Sequence, residues 1–410
     1  METEQRDCGS ATKHAKLSPG SVAGAGEDRL SALPDDVLVL ILLRLSTFEA
    51  ARTLALSRRW RRIWALLPEL RFAFAGPVPS RVGAAIAAHE TDLRYLLVVG
   101  AMDAAPESVA AWLPAAARLL IGRFVFLFDN SVGRSDSDDE GDGEAAARRL
   151  IELPCFERAV EVSLDLGLLG VTLPIAGVFA RLTELTLDHV RFHGPCGLGD
   201  AVSSPRCPCL QTLAVCNARG LQDLTIQSDS LLQLELRKAR GLQKLTLVAP
   251  ALKELAVLNC FLGDENQPVA NISASQLVPL KWIDVFDAST VQLGRMEHLQ
   301  SLNPFILFVY AEDGFVYNRA CLSLLRHFMV IQNLCLTLAY VPDIDGYQYM
   351  MEDITMLPEI MNLQLVVMAN GHAFGGSSFH VLRLCTGIRR LLLKLPGRTR
   401  FRQEVKLSLT

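Results

Sequence analysis

The sequence has no hydrophobic run long enough to cross a bilayer. The chain has 410 residues, of which 50% are hydrophobic, and its mean hydropathy is +0.27. A membrane-spanning helix needs about 20 consecutive, nearly uncharged residues. The best stretch lies between Asp165 and Arg181, and it is short and interrupted by Pro174 and several glycines. The hydrophobicity is therefore spread over short pieces, which indicates an internal repeat rather than a membrane protein.

An excess of positive charge is also missing. The chain has 40 Lys+Arg against 44 Asp+Glu, a formal net charge of −4. Nucleic-acid binding normally requires a basic domain or stripe, so we expect no nucleic-acid partner. Residues 1–28 lack the apolar core of a secretory signal, and ten cysteines without such a signal are expected to be reduced thiols. These absences favour a cytoplasmic and/or nuclear protein.

The common catalytic and cofactor signatures are absent as well. The sequence has no G-x-S-x-G, Walker loop, dinucleotide glycine fingerprint or H-E-x-x-H, each of which carries a specific chemistry. One group of residues has zinc-type side chains, but its Cys-Pro-Cys spacing is tighter than the usual C-x₂₋₄-C pair. The members are His189, His193, Cys196, Cys207 and Cys209. We therefore expect no catalytic residue, no metal and no other cofactor.

The folded part of the chain is predicted to begin after a polar leader. Residues 1–28 lack periodicity and are predicted to be disordered. A helix is predicted over 34–45, with Pro34 at its first position, where the missing N–H costs nothing. A second helix is predicted over 48–56, capped by a preceding Ser or Thr, and Ser57 is a candidate cap for a third helix.

The first of these helices is apolar around nearly its whole circumference. A surface helix normally has one apolar stripe, and a segment of about forty residues cannot cover two. We therefore expect a partner protein to cover one side. In the third helix Trp60, Ile63 and Trp64 follow at i, i+3 and i+4, so they should be buried and leave the neighbouring arginines as a solvated face.

The rest of the chain contains a leucine repeat. L-x-x-L-x-L hexads follow one another at steps of 28, 11, 10, 11 and 10 residues, starting at Leu182, Leu210, Leu221, Leu231, Leu242 and Leu252. The hexads at 221 and 242 lie about midway between those at 210, 231 and 252. Each short repeat of the solenoid should therefore hold two strands, one on each side, and no helix. Looser hexads extend the series, starting at 67, 93, 122, 159, 280, 302, 331, 360 and 388. The pattern predicts a curved leucine-rich-repeat solenoid with a parallel β-sheet on its concave face.

One interval of the repeat is oversized. An acidic, Gly/Ser-rich segment at about 129–144 is predicted to be a disordered insertion. Asp136 can be aligned with the first position of a calcium loop, but the twelfth position is Ala147. Because the closing carboxylate is missing, we expect no calcium site.

The hexads also predict which side chains face the concave side. Substrate-binding candidates there are Glu184, Asp188, Glu235, Arg237, Trp282, Asp284 and Phe286. The two aromatic residues are expected to be exposed anchors, and acidic side chains outnumber basic ones. The pattern therefore favours a basic partner segment, although scattered charge on a solvated face is the usual alternative.

The first ordered segment resembles an F-box. The residues that carry the resemblance are Asp28-Arg-Leu-Ser31, Leu33-Pro34-Asp35, Val37-Leu38, Ile41-Leu42, Leu45, Ala50-Ala51 and Leu56-Ser57-Arg58-Arg59-Trp60-Arg61 with Trp64. The whole chain is similar to plant F-box/leucine-rich-repeat proteins of the FBD-related group, and residues 203–208 and 382–391 resemble segments of grass members. On this reading 29–66 is a three-helix F-box and 67–410 is a substrate-binding repeat domain.

The resemblance implies a substrate-recognition subunit of an SCF-type cullin–RING ubiquitin ligase. The F-box would bind the Skp-type adaptor, and the repeat domain would hold an unknown protein for ubiquitination, so the chain itself would be a non-catalytic adaptor. The adaptor-binding residues carried over are Leu33, Pro34, Val37, Leu38, Ile41, Leu42 and Leu45. The alternatives are a leucine-rich-repeat interaction scaffold without a ligase and an enzyme that uses the His/Cys group with zinc.

Overall fold

The computed structural model describes most of the chain. The residues it describes are 30, 32–77, 81–101, 109–129, 150–193, 197–261, 269–284, 286–312, 315, 317–396 and 402–408. The predicted leader and nearly all of the predicted acidic insertion lie outside these residues. No helix within the described ranges has the length and apolarity required to span a bilayer.

Three short helices open the described chain. They are α1 (Asp35–Leu42), α2 (Thr47–Arg52), which continues into a 3₁₀ turn (Thr53–Ala55), and α3 (Arg58–Ala65). Pro34 is the extended residue before α1 and not its first helical residue. The predicted end of α1 at residue 45 is three residues too late. Ser46 is held in an extended conformation by a capping box with Glu49, and this arrangement starts the next helix.

The remaining elements are mostly strands. In chain order the strands are β1 (Glu69–Pro77), β2 (Leu93–Ala101), β3 (Leu120–Asp129), β4 (Leu150–Glu152), β5 (Glu161–Asp165), β6 (Gly170–Thr172), β7 (Glu184–Asp188), β8 (Arg191–Phe192), β9 (Thr212–Cys216), β10 (Asp223–Gln227), β11 (Gln233–Arg237), β12 (Lys244–Val248), β13 (Glu254–Leu258), β14 (Val269–Ser273), β15 (Pro279–Ile283), β16 (Val291–Leu293), β17 (Ser301–Phe308), β18 (Tyr310–Ala311), β19 (Val330–Ala339), β20 (Gln348–Tyr349), β21 (Glu359–Met368), β22 (Arg390–Pro396) and β23 (Arg402–Ser408). The further helices are α4 (Arg81–Ala87), α5 (Leu113–Leu119), α6 (Leu198–Val202), α7 (Tyr317–His327) and α8 (Gly375–Leu384).

One long sheet organises the molecule, and we call it the front sheet. It has 14 strands in the order β1-β2-β3-β5-β7-β9-β11-β13-β15-β17-β19-β21-β22-β23. All neighbouring pairs are parallel except the last, β22–β23. Such a long, mostly parallel sheet that grows strand by strand along the chain is consistent with a repeat solenoid.

The strands missing from this order form separate sheets. The order β10-β12-β14-β16 is a four-stranded sheet, which we call the back sheet, β4-β6-β8 is a three-stranded one, and β18-β20 is a two-stranded one. The hexads at 221 and 242 are thus the back strands β10 and β12, as predicted from their halfway positions. Between β9 and β14 the described residues contain no helix. The prediction of two strands in each short turn is confirmed there.

The core lies between the sheets and is built from aligned leucines. Leu213, Leu234, Leu255 and Leu280 are direct neighbours on consecutive front strands, and each is at most 2% exposed. Burying a leucine side chain stabilises the fold by about 1.5–3 kcal/mol. Because every turn of the chain adds further leucines to the same ladder, the core is continuous along the sheet.

A shared turn conformation follows four of the front strands. His189, Asn217, Lys238 and Asn259 have left-handed backbones with φ between 48° and 55°. Each N–H of this set donates to the carbonyl of the last residue of the next front strand, over 2.8–3.0 Å. Asn is among the residues that tolerate this conformation best. The turn therefore directs the chain from the front sheet towards the back of the molecule in successive repeats.

The register of the front sheet corrects two of the predicted hexads. Leu255 pairs with Leu280, and Leu280 pairs with Leu302. Leu255 is the fourth residue of its hexad, so Leu280 and Leu302 also occupy the fourth position of their hexads and not the first. The hexad around β15 runs from Leu277 to Trp282, with a tryptophan in the last inward position. The shift of three residues reverses which side chains point outward.

The N-terminal helices pack directly on the first strands. The N–H of Arg71 in β1 donates to Oγ1 of Thr47 at 2.8 Å, and the Oγ1 of Thr91 donates to the carbonyl of Ala65 at 3.2 Å. Ile63 and Trp64 belong to the same buried cluster as the leucines of the front sheet. The helices therefore cover the beginning of the repeat as part of one core.

Candidate interaction surfaces

Helix α1 buries only part of its apolar surface. Leu38 and Leu42 are each 1% exposed, and they share a buried cluster with Ile63 and Trp64 of α3. Their spacing of four residues places them on one side of the helix. Both side chains are enclosed in the core and are not accessible on the surface of this structure, and their contact with the adaptor stays a prediction.

The other predicted adaptor-binding residues remain accessible. Leu33, Val37 and Ile41 are half-buried, whereas Pro34 and Leu45 are exposed. Val37 and Ile41 are four residues apart on α1, beside the buried pair, and Leu33, Pro34 and Leu45 lie just outside the ends of this helix. The geometry leaves these five residues available to a partner, and their contact with one remains a prediction.

Several exposed apolar residues of this segment were not among the predicted contacts. Leu40 of α1 is 62% exposed, and Leu43, which caps the end of this helix, is 36% exposed. Further along, Phe48 is 69% and Leu56 is 66% exposed. The expected cover on a second side of α1 did not specify which side, although Leu40 and Leu43 belong to the apolar run from which it was inferred. The sequence carried no comparable signal for Phe48 and Leu56, which come from α2 and the turn after it.

An ion pair joins α3 to the beginning of α1. Nη2 and Nε of Arg59 lie 2.7 and 2.9 Å from Oδ1 of Asp35, and Nη2 also donates to the carbonyl of Leu33. Both side chains are more than one third exposed, so the pair contributes at most about 1 kcal/mol. Its clearer effect is to fix the chain at Leu33 and Pro34 relative to α3.

The outward face of the front sheet is the second accessible surface. Four of the predicted substrate-binding residues lie on it, namely Glu184, Asp188, Glu235 and Arg237. Arg237 forms an ion pair with Glu235 on the same strand. Asp188 accepts a hydrogen bond from Nδ2 of Asn217 at 2.8 Å. The structure thus brings the four residues to one face, and their role in binding a substrate remains a prediction.

Trp282, Asp284 and Phe286 do not lie on that face. They are 2%, 2% and 3% exposed, and the predicted exposed anchors are therefore wrong. The ring of Trp282 is stacked on that of Phe261, with centroids 6.1 Å apart, and meets Phe286 edge-on at 6.4 Å. The cause is the register of β15, in which Lys281 points outward and Trp282 inward.

Asp284 has a structural role in place of the predicted one. Its carboxylate accepts the N–H groups of Cys260 and Phe261 at 2.7 and 2.9 Å. Burial raises the pKa of Asp284 to about 6, although both hydrogen bonds favour the charged form. The carboxylate therefore satisfies two buried backbone donors in the turn after β13, which would otherwise be costly.

The described members of the predicted His/Cys group, His189, His193, Cys207 and Cys209, do not bring three ligand atoms together. Cys207 is buried and Cys209 is exposed, burial raises the pKa of Cys207 to about 12, and Cys196 lies outside the described residues. Within the described residues, the group with ligand atoms close enough for a metal is Asp165, Asp188 and His189. Nδ1 of His189 lies 2.8 Å from Oδ1 of Asp188 and 3.5 Å from that of Asp165, so the three side chains already contact one another at the turn.

Comparison with known proteins identifies the N-terminal segment. Residues 30–72 match the F-box domain. An F-box/FBD/LRR-repeat protein of Arabidopsis thaliana is 53% identical over 53 residues, which is 13% of this chain and 12% of the relative. An FBD-associated F-box protein of the same plant is 43% identical over 58 residues, or 14% and 12%.

A third relative, a putative F-box/FBD/LRR-repeat protein of Arabidopsis thaliana, is 56% identical over 46 residues, which is 11% of this chain and 10% of the relative. The chain thus matches only about a tenth of the length of these relatives. No solved structure matches the chain. Together, the F-box match and these relatives show that the N-terminal segment is similar to the F-box of plant F-box/FBD/LRR-repeat proteins.

Proposed function

We propose that the chain is the substrate-recognition subunit of an SCF-type cullin–RING ubiquitin ligase. F-box domains generally serve as the adaptor-binding part of such subunits, and F-box proteins are generally non-catalytic. In this proposal the F-box binds the Skp-type adaptor, and the repeats hold a protein substrate near the ubiquitin-conjugating enzyme. We further propose that the protein acts in the cytoplasm or nucleus.

The observation that carries the proposal is the apolar surface left open on the F-box helices. Leu40, Phe48 and Leu56 are each more than 60% exposed, while the core is completed by Leu38 and Leu42. Exposed apolar side chains concentrated in one short segment are typical of a protein interface. The half-buried residues Leu33, Val37 and Ile41, with the exposed Pro34 and Leu45, extend the accessible apolar surface that the adaptor would cover.

The outward face of the front sheet supports the second part of the proposal. Its side chains include charged and polar residues on successive strands, and several of them are exposed. We propose that the solenoid curves with this face on the concave side and that the substrate lies against it. Repeat proteins generally use such extended surfaces for binding.

The adaptor interaction can be tested with purified proteins. The full chain is captured on a biosensor, and binding of a purified plant Skp-type adaptor is measured. We expect the wild type to bind, and we expect the double variant Leu33→Ala, Pro34→Ala to lose binding. Leu40→Glu is a second test variant, because an exposed charge there should block an apolar interface without entering the core. Phe379→Ala is the matched control, since Phe379 is 73% exposed on α8 in the repeats.

The possible outcomes distinguish a wrong adaptor-binding surface from a wrong proposed function. If the wild type does not bind any Skp-type adaptor, the ligase function is overturned and a repeat scaffold without a ligase takes its place. Full binding by both the double variant and Leu40→Glu would overturn the assigned surface. Far-ultraviolet circular dichroism of each variant shows that loss of binding does not come from unfolding.

A further inference from the structure

The outward face of β7, β9, β11 and β13 has an uncovered, one-sided charge pattern. Glu184, Gln233 and Glu254 are exposed at the first outward position of their strands. No described part of the chain therefore packs over this row. Counting all outward positions from β5 to β13, the acidic residues are Glu161, Asp165, Glu184, Asp188, Glu235 and Glu254, and the basic residue is Arg237.

Most of these acidic groups already have partners. Glu161 is paired with Arg123 of β3 at 2.8 Å, and Glu235 is paired with Arg237. Asp188 accepts a hydrogen bond from Asn217, and its Oδ1 lies 2.8 Å from Nδ1 of His189. Among the described residues, Glu184 and Glu254 have no ion-pair partner. They are therefore the two carboxylates that are free to receive a cation from outside.

A shallow groove lies beside Glu254. In the middle outward row, Glu235 stands between Ala214 and Ala256, and Lys281 follows on β15. The two alanines line a groove of about 90 Å³ together with Glu235, Glu254 and, on its far side, Lys281. Ala256 is 8% exposed although no described element covers it, because the longer side chains around it form the walls. Alanine side chains beside carboxylates fit the aliphatic stem and charged head of Arg or Lys.

We propose that this face binds an extended basic segment of the substrate, with Lys or Arg side chains on Glu184 and Glu254. The inference rests on the proposed function and names the class of substrate that the repeats would hold. Arg123 at one end and Lys281 at the other carry the same charge as the ligand, and they limit the acidic surface to the strands between them.

The strand spacing sets the spacing of the two basic residues. Glu184 and Glu254 are three strands apart in the same row, which is about 14 Å at 4.8 Å per strand. An extended segment that crosses the strands advances about 3.3–3.4 Å per residue, so four residues cover this distance. Side chains alternate in an extended chain, and residues i and i+4 therefore point to the same side. The segment should carry its two basic residues at i and i+4.

The test uses the full chain and synthetic peptides. The probes are fluorescent Ser/Thr peptides with two arginines at spacings from i+2 to i+6, and binding is measured by anisotropy at low salt. We expect the i+4 peptide to bind best and its binding to weaken with added salt. Glu184→Gln and Glu254→Gln should each weaken binding about two- to five-fold, as expected for the loss of one exposed ion pair. The matched control is Asp223→Asn on the back sheet, where the acidic side chain is also exposed.

A charge-reversal variant tests whether Glu254 itself contacts a basic residue of the peptide. Glu254→Lys should bind the peptide in which the second arginine is replaced by glutamate better than the wild type binds it. Equal binding at all spacings, or no effect of the two glutamine variants, would overturn the inference. Adaptor binding is measured on the same variants. If the wild type binds the adaptor but shows no preference among the peptides, only the proposed class of substrate is refuted. If the wild type does not bind the adaptor, the proposed function itself is refuted.

Discussion

Trp282 is the residue whose substitution tests the register of the front sheet most directly. It is 2% exposed and packs against Phe261 and Phe286. A buried tryptophan removes about 150–250 Å² from water, which corresponds to about 4–6 kcal/mol as an upper limit. Truncations of buried aromatic residues cost about 3–5 kcal/mol. We expect Trp282→Ala to lower the free energy of unfolding by that amount.

Two further variants show which part of the side chain matters. Within the described residues, the indole Nε1 of Trp282 has no hydrogen-bond partner. Trp282→Phe removes this unsatisfied donor together with some volume, so its loss of stability should be much smaller than that of Trp282→Ala. Lys281→Ala changes the neighbouring outward side chain and should stay within about 0.5 kcal/mol.

The assay is urea unfolding followed by far-ultraviolet circular dichroism, with the slope m compared among the variants. The register would be refuted if Trp282→Ala changed stability no more than Lys281→Ala. An outward-pointing tryptophan predicts that result, because an exposed anchor contributes to binding and not to the core.

Two other predictions concern the F-box core and a buried carboxylate. Leu42→Ala should cost about 2–5 kcal/mol and Leu40→Ala less than about 0.5 kcal/mol in the same urea assay, and equal losses would contradict the burial of α1. Burial raises the pKa of Asp284 from 3.8 to about 6, so between these values the native state binds more protons than the unfolded state and stability falls as the pH rises. This loss should reach about 3 kcal/mol over the full window and be absent in Asp284→Asn. Parallel urea midpoints of the two proteins from pH 3.5 to pH 7 would contradict it.

Much of the repeat could be predicted because the number of residues between leucine hexads equals the number of residues between successive strands. The steps of 10 and 11 residues distinguished front strands from back strands, since each short turn needs one of each. The prediction failed at β15, where Trp282 takes the inward position that Val257 holds in β13. Leu280 then looked like the start of a hexad. A shift by an odd number of residues exchanges the two faces of a strand, so the error moved three site residues from the core to the surface.

The candidate adaptor surface was harder to predict from the sequence. Helix α1 is apolar on all sides, so its pattern indicates that two surfaces exist without indicating which is internal. Only the packing of Leu38 and Leu42 with α3 separates them. The exposure of Leu40 follows from the same packing, because one side of a helix cannot face both α3 and a partner.

Because the F-box helices and the repeats share one core, the distance between them along the front sheet follows from the number of strands that separate them. The helices rest on β1, and the proposed binding face begins at β7, four strands further along the front sheet. At about 4.8 Å per strand this is about 19 Å along the sheet. If the chain acts as proposed, removing or duplicating one front strand with its back partner would move the bound substrate by one such increment relative to the adaptor. The number of repeats would then decide which lysines of the substrate come within range of ubiquitin transfer.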